Sequence, residues 1–120
     1  MEERPRATSW KGSVISKYLI QASYTAEGLK GLQKDKSSGR KAVVAKAAEA
    51  LGGKLDSYYF ALGEHDVVAI LDLPDAVSAT ALALAVSATG LVRTKTTVLL
   101  TVEETDKALQ KKVAYRAPGK

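Results

Sequence analysis

The residues with the clearest potential for chemistry lie in a short turn, Gly63-Glu64-His65-Asp66, between two apolar runs. His65 is the single histidine of the chain. An imidazole beside a carboxylate can transfer a proton near neutral pH or anchor a ligand through a hydrogen bond. With three more polar residues from elsewhere in the chain, the candidate ligand-binding site consists of Tyr24, His65, Asp66, Arg93 and Lys95. Its two cations predict a small anionic or phenolic ligand.

Each candidate also has a purely structural interpretation. Asp66 can bond backbone amides in its own turn, as aspartate commonly does, and Gly63 can supply a positive φ angle. His65 can face solvent in the loop, while Arg93 and Lys95 can pair with acidic residues of the turn. The sequence leaves these alternatives open.

The composition excludes several kinds of site. There is no cysteine, which rules out disulfides, thiolate metal sites and cysteine nucleophiles. One histidine cannot form a multi-histidine metal site within a chain. Gly28 and Gly31 lack the rest of a dinucleotide-binding fingerprint, and no nucleophile elbow, P-loop or His-Glu-x-x-His motif is present. We therefore expect no cofactor and no metal.

The overall composition is that of an ordinary single domain of 120 residues, 46% hydrophobic and 26% charged. The net charge of +5 lies mainly in the first 17 and last 20 residues. Basic tails are usually solvated, so we do not expect a nucleic-acid partner. No apolar run reaches the roughly 20 residues of a spanning helix, and the N-terminal segment has no signal-peptide core. We expect a cytoplasmic protein that does not engage a membrane.

The elements that must position the candidates begin with a strand and a short helix. Lys17 to Tyr24 alternates as a strand, with Tyr18, Ile20 and Ala22 on one face. Thr25 is a suitable N-cap for the helix that follows. A polar break over residues 34–40 interrupts it.

A second helical stretch starts at Ser37 or Ser38. Gly52-Gly53 ends it, as left-handed C-terminal caps require. Its polar positions include Arg40, and its apolar stripe consists of Val44, Ala47, Ala48 and Leu51.

The second half of the chain predicts three strands and two helices. Strands over Leu55 to Leu62 and Asp66 to Asp72 flank the turn. Asp75 caps a helix over Ala76 to Thr89, which is apolar nearly all round and is therefore expected to be buried on more than one side. Val92 to Leu100 is a strand rich in threonine and valine. A capping box then starts a terminal helix with a thin apolar face of Val102, Leu109 and Val113, which predicts a peripheral position.

This order predicts an α+β, ferredoxin-like β-α-β-β-α-β fold: a four-stranded antiparallel sheet in strand order 4-1-3-2, helices on one face, and a peripheral C-terminal helix. Tyr24, the turn and the start of the fourth strand then lie at one end of the sheet, which groups the five candidates.

The other face of the sheet also needs a cover. The second strand alternates Leu55, Ser57 and Tyr59 on one face with Tyr58 and Phe60 on the other, so aromatic residues are available to both faces. They are most simply core and interface residues. A second copy of the chain is the expected cover, and the terminal helix folded back over the sheet is the alternative.

Several segments resemble the GYD-domain family. They span about residues 17–104 and are Lys17 to Gly28, Gly52 to Leu55, Gly63 to Val68, Asp72 to Asp75, and Arg93 to Thr97. The Gly-x-Tyr-Asp-like turn of the family is matched by Gly63 and Asp66, with His65 in place of the usual tyrosine. The family has no established activity, so the resemblance implies a fold and no mechanism. The architecture is similar to that of dimeric α/β-barrel proteins, which include cofactor-independent monooxygenases and small-ligand sensors.

Three functions are consistent with these features. The first is a small-ligand-binding or regulatory homo-oligomeric module. The second is a cofactor-independent enzyme, monooxygenase- or isomerase-like, that uses His65 with Asp66 or Tyr24, and the third is a structural assembly subunit. An enclosed pocket containing His65 favours the enzyme, a pocket without it favours the binding module, and a solid core favours the subunit.

The expected domain covers residues 17–104. An N-terminal tail over residues 1–16 precedes it, and the end of the C-terminal helix with a basic tail, residues 105–120, follows. We expect residues 1–12 and 115–120 to be dispensable for folding. Trp10 argues against this, because an isolated tryptophan prefers to be buried.

Overall fold

The computed structural model describes residues 15–120. Trp10 and the predicted tail up to residue 14 lie outside the described residues. Within the described range, no helix combines the length and apolar character needed to cross a membrane. The elements of this range are, in chain order, β1 (Ser16–Tyr24), α1 (Ala26–Ala50), β2 (Lys54–Phe60), β3 (Val67–Leu73), α2 (Ala76–Ser87), β4 (Val92–Leu99) and α3 (Val102–Gln110).

The strands form one antiparallel sheet in the order β2-β3-β1-β4. The central strand β1 pairs with β3 on one side, where Ala22 lies opposite Val67, and with β4 on the other, where Tyr24 lies opposite Val92. The two crossovers contain α1 and α2, and residues of both helices pack into the same core cluster on one side of the sheet. The predicted α+β, ferredoxin-like fold is confirmed.

The core lies between the sheet and the helices α1 and α2. Successive side chains of a strand face opposite sides, so alternate residues of β1 and β3 enter this layer. Leu71 and Leu73 are its largest fully buried side chains. The whole cluster consists of Tyr18, Ile20, Ala48, Ala69, Leu71, Leu73, Ala79 and Leu82.

Helix α1 is interrupted at one residue. It begins as predicted at Thr25, whose Oγ1 accepts a hydrogen bond from the Gly28 amide at 3.1 Å. Lys36 has φ 69° and ψ 164°, which are not helical values and divide α1 into segments 26–35 and 37–50. The break predicted within residues 34–40 is therefore confirmed. Gly52, just after the helix, has a φ of 86°, as the predicted left-handed cap requires.

The expectation that the second crossover helix is buried on several sides is wrong for the single chain. Asp75 caps α2, its Oδ1 accepting from the Ser78 amide at 2.7 Å. Among the residues of α2, Ala79 and Leu82 are buried, whereas Val77 and Leu84 on its outer side are 79% and 65% exposed. A single layer of helices on a sheet covers only the sheet-facing side of each helix, so these apolar residues stay uncovered.

A bulge in β2 corrects the predicted alternation of that strand. The register against β3 shifts between Leu55 and Ser57. One extra residue at a bulge moves every later side chain to the opposite face. Leu55 therefore packs against the core on the same side as Tyr58. Its predicted grouping with Ser57 and Tyr59 is wrong, and Tyr59, on the other face, is 69% exposed.

Helix α3 has the predicted capping box. Thr101 Oγ1 accepts from the Glu104 amide at 3.0 Å, and Glu104 Oε1 accepts from the Thr101 amide at 2.8 Å. None of the residues of α3 is buried, which confirms its peripheral position. Val113, predicted to belong to its apolar face, lies beyond the end of the helix at Gln110.

Candidate functional site

The turn that contains His65 lies at the predicted end of the sheet, beside the end of β1. The Asp66 amide donates to the Ala22 carbonyl at 2.8 Å, and Asp66 Oδ2 accepts from the Tyr24 amide at 2.8 Å. Gly63 has a φ of 136°, a region that favours glycine. The carboxylate and the glycine thus both shape the turn, in line with the structural interpretation of these two residues.

His65 is held by Ser23. Its Nδ1 lies 3.3 Å from Ser23 Oγ, and Ser23 Oγ also donates to the Glu64 carbonyl at 3.2 Å. The Nε2 of His65 lies 3.8 Å from Glu64 Oε1, and the imidazole is 22% exposed. Ser23, and not the neighbouring Asp66, is therefore the hydrogen-bonding partner that orients the ring.

Arg93 and Lys95 lie on the face of the sheet opposite to the helices. Arg93 pairs opposite Ser23, and Lys95 opposite Gln21. The phenol of Tyr24 is on the other side of the sheet, where it lines a cavity below the helices. The five predicted site residues share one end of the sheet but divide between its two faces. A joint ligand for them stays a prediction.

A partly enclosed cavity of about 60 Å³ lies between the sheet and the helices α1 and α2. Strands β1, β3 and β4 form its floor, and side chains of both helices form its roof. The wall is apolar except at Tyr24, Tyr58, Arg40 and Thr94. Its apolar lining consists of Ile20, Ala22, Val44, Val67, Ala69, Leu71, Leu82, Ala83, Val86 and Val92.

A wider groove of about 340 Å³ continues from this cavity between α1 and α2. Tyr24, Arg40 and Val86 line both the groove and the cavity, so they stand where the two meet. We call this junction the mouth of the cavity. Arg40 is 28% exposed, and its Nη1 lies 3.5 Å from Oδ2 of Asp35, which lines the groove only.

The polar groups of the cavity wall influence one another. Burial raises the pKa of the Tyr58 phenol, and its interaction and hydrogen bond with the Tyr24 hydroxyl raise that pKa further. The positive charge of Arg40 acts in the opposite direction, because it favours a phenolate. Burial is the largest of these effects, so the pKa of Tyr58 lies above its ordinary value of 10.0.

A comparison with protein families matches the GYD domain to residues 18–109 of this chain. The chain belongs to the GYD domain family. The resemblance inferred from the sequence is thereby confirmed. Neither the comparison with curated proteins nor the comparison with solved structures finds a match.

Tyr58 and Arg40 line the cavity of this GYD domain but were not among the predicted site residues. Tyr58 was interpreted as a core or interface residue, and Arg40 was placed outside the apolar stripe of α1. Both line the cavity, so the placement of Arg40 is wrong. The sequence did hold a signal for it, since Arg40 precedes Val44 by four residues and therefore shares its helix face.

A second charged cluster of the GYD domain lies at the opposite end of the sheet. Lys17 Nζ lies 2.8 Å from Asp72 Oδ1 and 3.4 Å from Asp56 Oδ2. Asp72 is buried, and the hydrogen bond to it raises the pKa of Lys17 despite partial desolvation. The lysine neutralises the buried carboxylate. Within residues 15–120, no group of three or more acidic or histidine side chains is arranged to hold a metal ion.

Proposed function

We propose that this GYD domain binds a small molecule in the cavity between its sheet and its helices, as a ligand-binding or regulatory homo-oligomeric module. The observation that carries the proposal is an apolar cavity with Tyr24, Tyr58 and Arg40 converging on it. A concave, mostly apolar site with a few convergent polar groups is the usual form of a small-molecule site.

The composition of the cavity wall favours this function over the alternatives. His65 lines neither the cavity nor the groove, so the enclosed space lacks the group on which the enzyme hypothesis depends. A structural assembly subunit, in turn, gains nothing from space left inside its core, because unfilled volume costs stability.

The size of the cavity limits what can enter it. One water molecule needs at least about 10–15 Å³ of such volume, so the cavity holds roughly four to six atoms of that size. A larger ligand extends into the groove of about 340 Å³. Thr94 and the two tyrosines offer it hydrogen bonds at the polar part of the wall.

Methyl NMR with a neutral probe, 3-methylbutan-1-ol, tests the site. We expect shift changes concentrated at Leu82, Val86 and Val92 in the wild-type protein. Ala83→Leu fills the cavity and should abolish them. Ala81→Leu is the matched control, because Ala81 lies on the exposed outer side of α2 and should leave binding intact.

Two results would contradict this proposal. One is a probe that shifts no cavity methyl group at any accessible concentration. The other is equal binding by wild type and a folded Ala83→Leu variant, which would place the probe elsewhere. Native mass spectrometry of the freshly purified protein adds an independent check, since a retained small molecule should be lost from the Ala83→Leu variant.

The homo-oligomeric part of the proposal depends on the face of the sheet away from the helices. This open face displays half-buried Leu19, Val68 and Ile70 together with exposed Tyr59. Helix α3, the alternative cover, buries none of its residues. A second sheet packs at a distance of about 10 Å from the first, which suits a second copy of the chain.

Sedimentation velocity at micromolar concentration tests the dimer. We expect the wild type to sediment as a dimer and Ile70→Lys as a monomer, because a buried charge opposes association through the open face. Val77→Lys, on the outer side of α2, is the matched control and should leave the dimer intact. A monomeric wild type would refute the proposal. If Val77→Lys dissociates the dimer and Ile70→Lys does not, the interface lies on α2 and not on the open face.

A further inference from the structure

We propose that the ligand of this cavity is a small carboxylic acid bound as its anion, with an apolar body of about four to five carbon atoms inside the cavity and its carboxylate at the mouth beside Arg40. This inference rests on the proposed ligand-binding function and adds the chemical class of the ligand.

The apolar part of the ligand is defined by the floor of the cavity. Ile20, Ala69 and Leu71 present only hydrocarbon there, and each is buried. A polar group placed against them would lose its hydrogen bonds to water without replacement. A short branched aliphatic chain matches both this surface and the volume of about 60 Å³.

The charged end of the ligand is defined by Arg40. A guanidinium stays protonated at all relevant pH values and offers five N–H donors in a plane that matches a carboxylate. Within residues 15–120, the guanidinium makes one ionic contact, of 3.5 Å, with exposed Asp35. With respect to the described residues, that single long contact leaves donors of Arg40 available at the mouth, where the side chain is largely shielded from solvent.

The two tyrosines of the cavity wall also suit an anion. The Tyr24 hydroxyl accepts the hydrogen bond of Tyr58 and can itself donate to a carboxylate oxygen, and burial raises the pKa of the Tyr58 phenol further above its ordinary value. Among residues 15–120, no aspartate or glutamate lines the cavity itself, which disfavours a cationic ligand. With Arg40 as the one cationic lining residue in the described part of the chain, the cavity matches a monoanion better than a phosphate dianion.

The interruption of α1 adds to the positive potential. The second helical segment begins after Lys36, so Arg40 lies within its first turn. The start of a helix carries partial positive charge from main-chain amides that have no partner within the helix. This partial charge adds to the positive potential of the Arg40 guanidinium without a further charged side chain.

A comparison of isovalerate with isovaleramide, its neutral isostere, tests the inference. Both have the same four-carbon body, so a difference between them reports the carboxylate. We expect isovalerate to bind the wild-type protein about tenfold more tightly by methyl NMR titration, since charge-assisted hydrogen bonds are roughly twice as strong as neutral ones. Arg40→Gln should remove this difference between the two ligands.

Asp35→Asn provides a second test that does not weaken the site. Asp35 competes with a ligand for the Arg40 guanidinium, so its neutralisation should raise the affinity for isovalerate about twofold and leave isovaleramide unaffected. If the Asp35–Arg40 pair only stabilised the fold, Asp35→Asn would not raise the affinity for isovalerate. Lys34→Gln, also an exposed change on α1, is the control for general loss or gain of surface charge.

The outcomes separate this inference from the proposed function. Binding of 3-methylbutan-1-ol in the cavity, with isovalerate no tighter than isovaleramide, overturns the carboxylate and leaves the binding function standing. An isovalerate preference that persists in folded Arg40→Gln overturns the role of Arg40. If 3-methylbutan-1-ol, isovalerate and isovaleramide all fail to bind in the cavity, both the ligand-binding function and the carboxylate inference are overturned.

Discussion

The carboxylate of Asp66 accepts a hydrogen bond from the main-chain amide of Tyr24 at 2.8 Å. The main chain of Asp66 bonds Ala22 and Ala61 as well, each at 2.8 Å. One residue of the β2–β3 turn therefore joins the ends of β1 and β2. The bond also fixes the backbone of Tyr24, whose side chain stands at the mouth of the cavity.

Asp66→Ala should lower the free energy of unfolding by about 1–3 kcal/mol, because the Tyr24 amide then loses its acceptor in a partly buried position. Asp66→Asn keeps an acceptor oxygen and should cost clearly less. Urea unfolding of the two variants measures the difference. Equal losses would mean that the negative charge of Asp66, and not its acceptor geometry, stabilises the turn.

The first turn of α1 approaches the segment before β4 closely at Gly28. A Cβ atom at Gly28 would overlap the Leu91 carbonyl oxygen, whereas a Cβ at Gly31 would meet nothing within 4 Å. Gly28→Ala should cost about 1–3 kcal/mol or more through displacement of backbone. Gly31→Ala should stabilise by about 0.5–1 kcal/mol, since alanine favours a helix. Thermal unfolding compares the pair, and similar melting temperatures would contradict the predicted contact.

The backbone of Lys36 is strained. Its φ of 69° and ψ of 164° lie in a region that essentially only glycine occupies, at a cost of about 1–3 kcal/mol. Lys36→Gly should therefore raise the free energy of unfolding by about 1 kcal/mol. Lys34→Gly, in the preceding helical segment, should lower it by about 1 kcal/mol. If urea unfolding shows that both changes destabilise, Lys36 is helical in solution.

Tyr58 should make the protein less stable at alkaline pH. Its pKa in the folded state lies above the ordinary value of 10.0, mainly through burial. Above pH 10 the unfolded chain releases this proton while the folded chain retains it, so the free energy of unfolding falls as pH rises. Below pH 10 the phenol is protonated in both states and stability does not depend on it.

In the Tyr58→Phe variant, the free energy of unfolding, measured with urea, should fall less between pH 8 and about pH 11 than in the wild type. Part of the loss should persist, because burial also raises the pKa of Tyr18. Tyr59→Phe, which removes a phenol that is 69% exposed, is the matched control. Identical pH profiles for wild type and Tyr58→Phe would show that the Tyr58 phenol is solvated in the folded protein.

The local elements of this protein could be predicted from the sequence because they depend on short-range chemistry. Thr25 and Asp75 cap their helices with side-chain oxygens, and Gly52 adopts the positive φ that ends α1. Strand alternation and the handedness of two crossovers then restrict the sheet to one order. The same topology predicts that Tyr24 and His65 share an end of the sheet.

The tertiary structure alone decided which side chains meet. The bulge between Leu55 and Ser57 places Tyr58 on the core side of the sheet, and the pleat places Arg93 on the side away from Tyr24. The cavity that Arg40 borders is volume left between two packed layers. Such volume depends on how all facing side chains fit together, and no single segment of sequence contains that information.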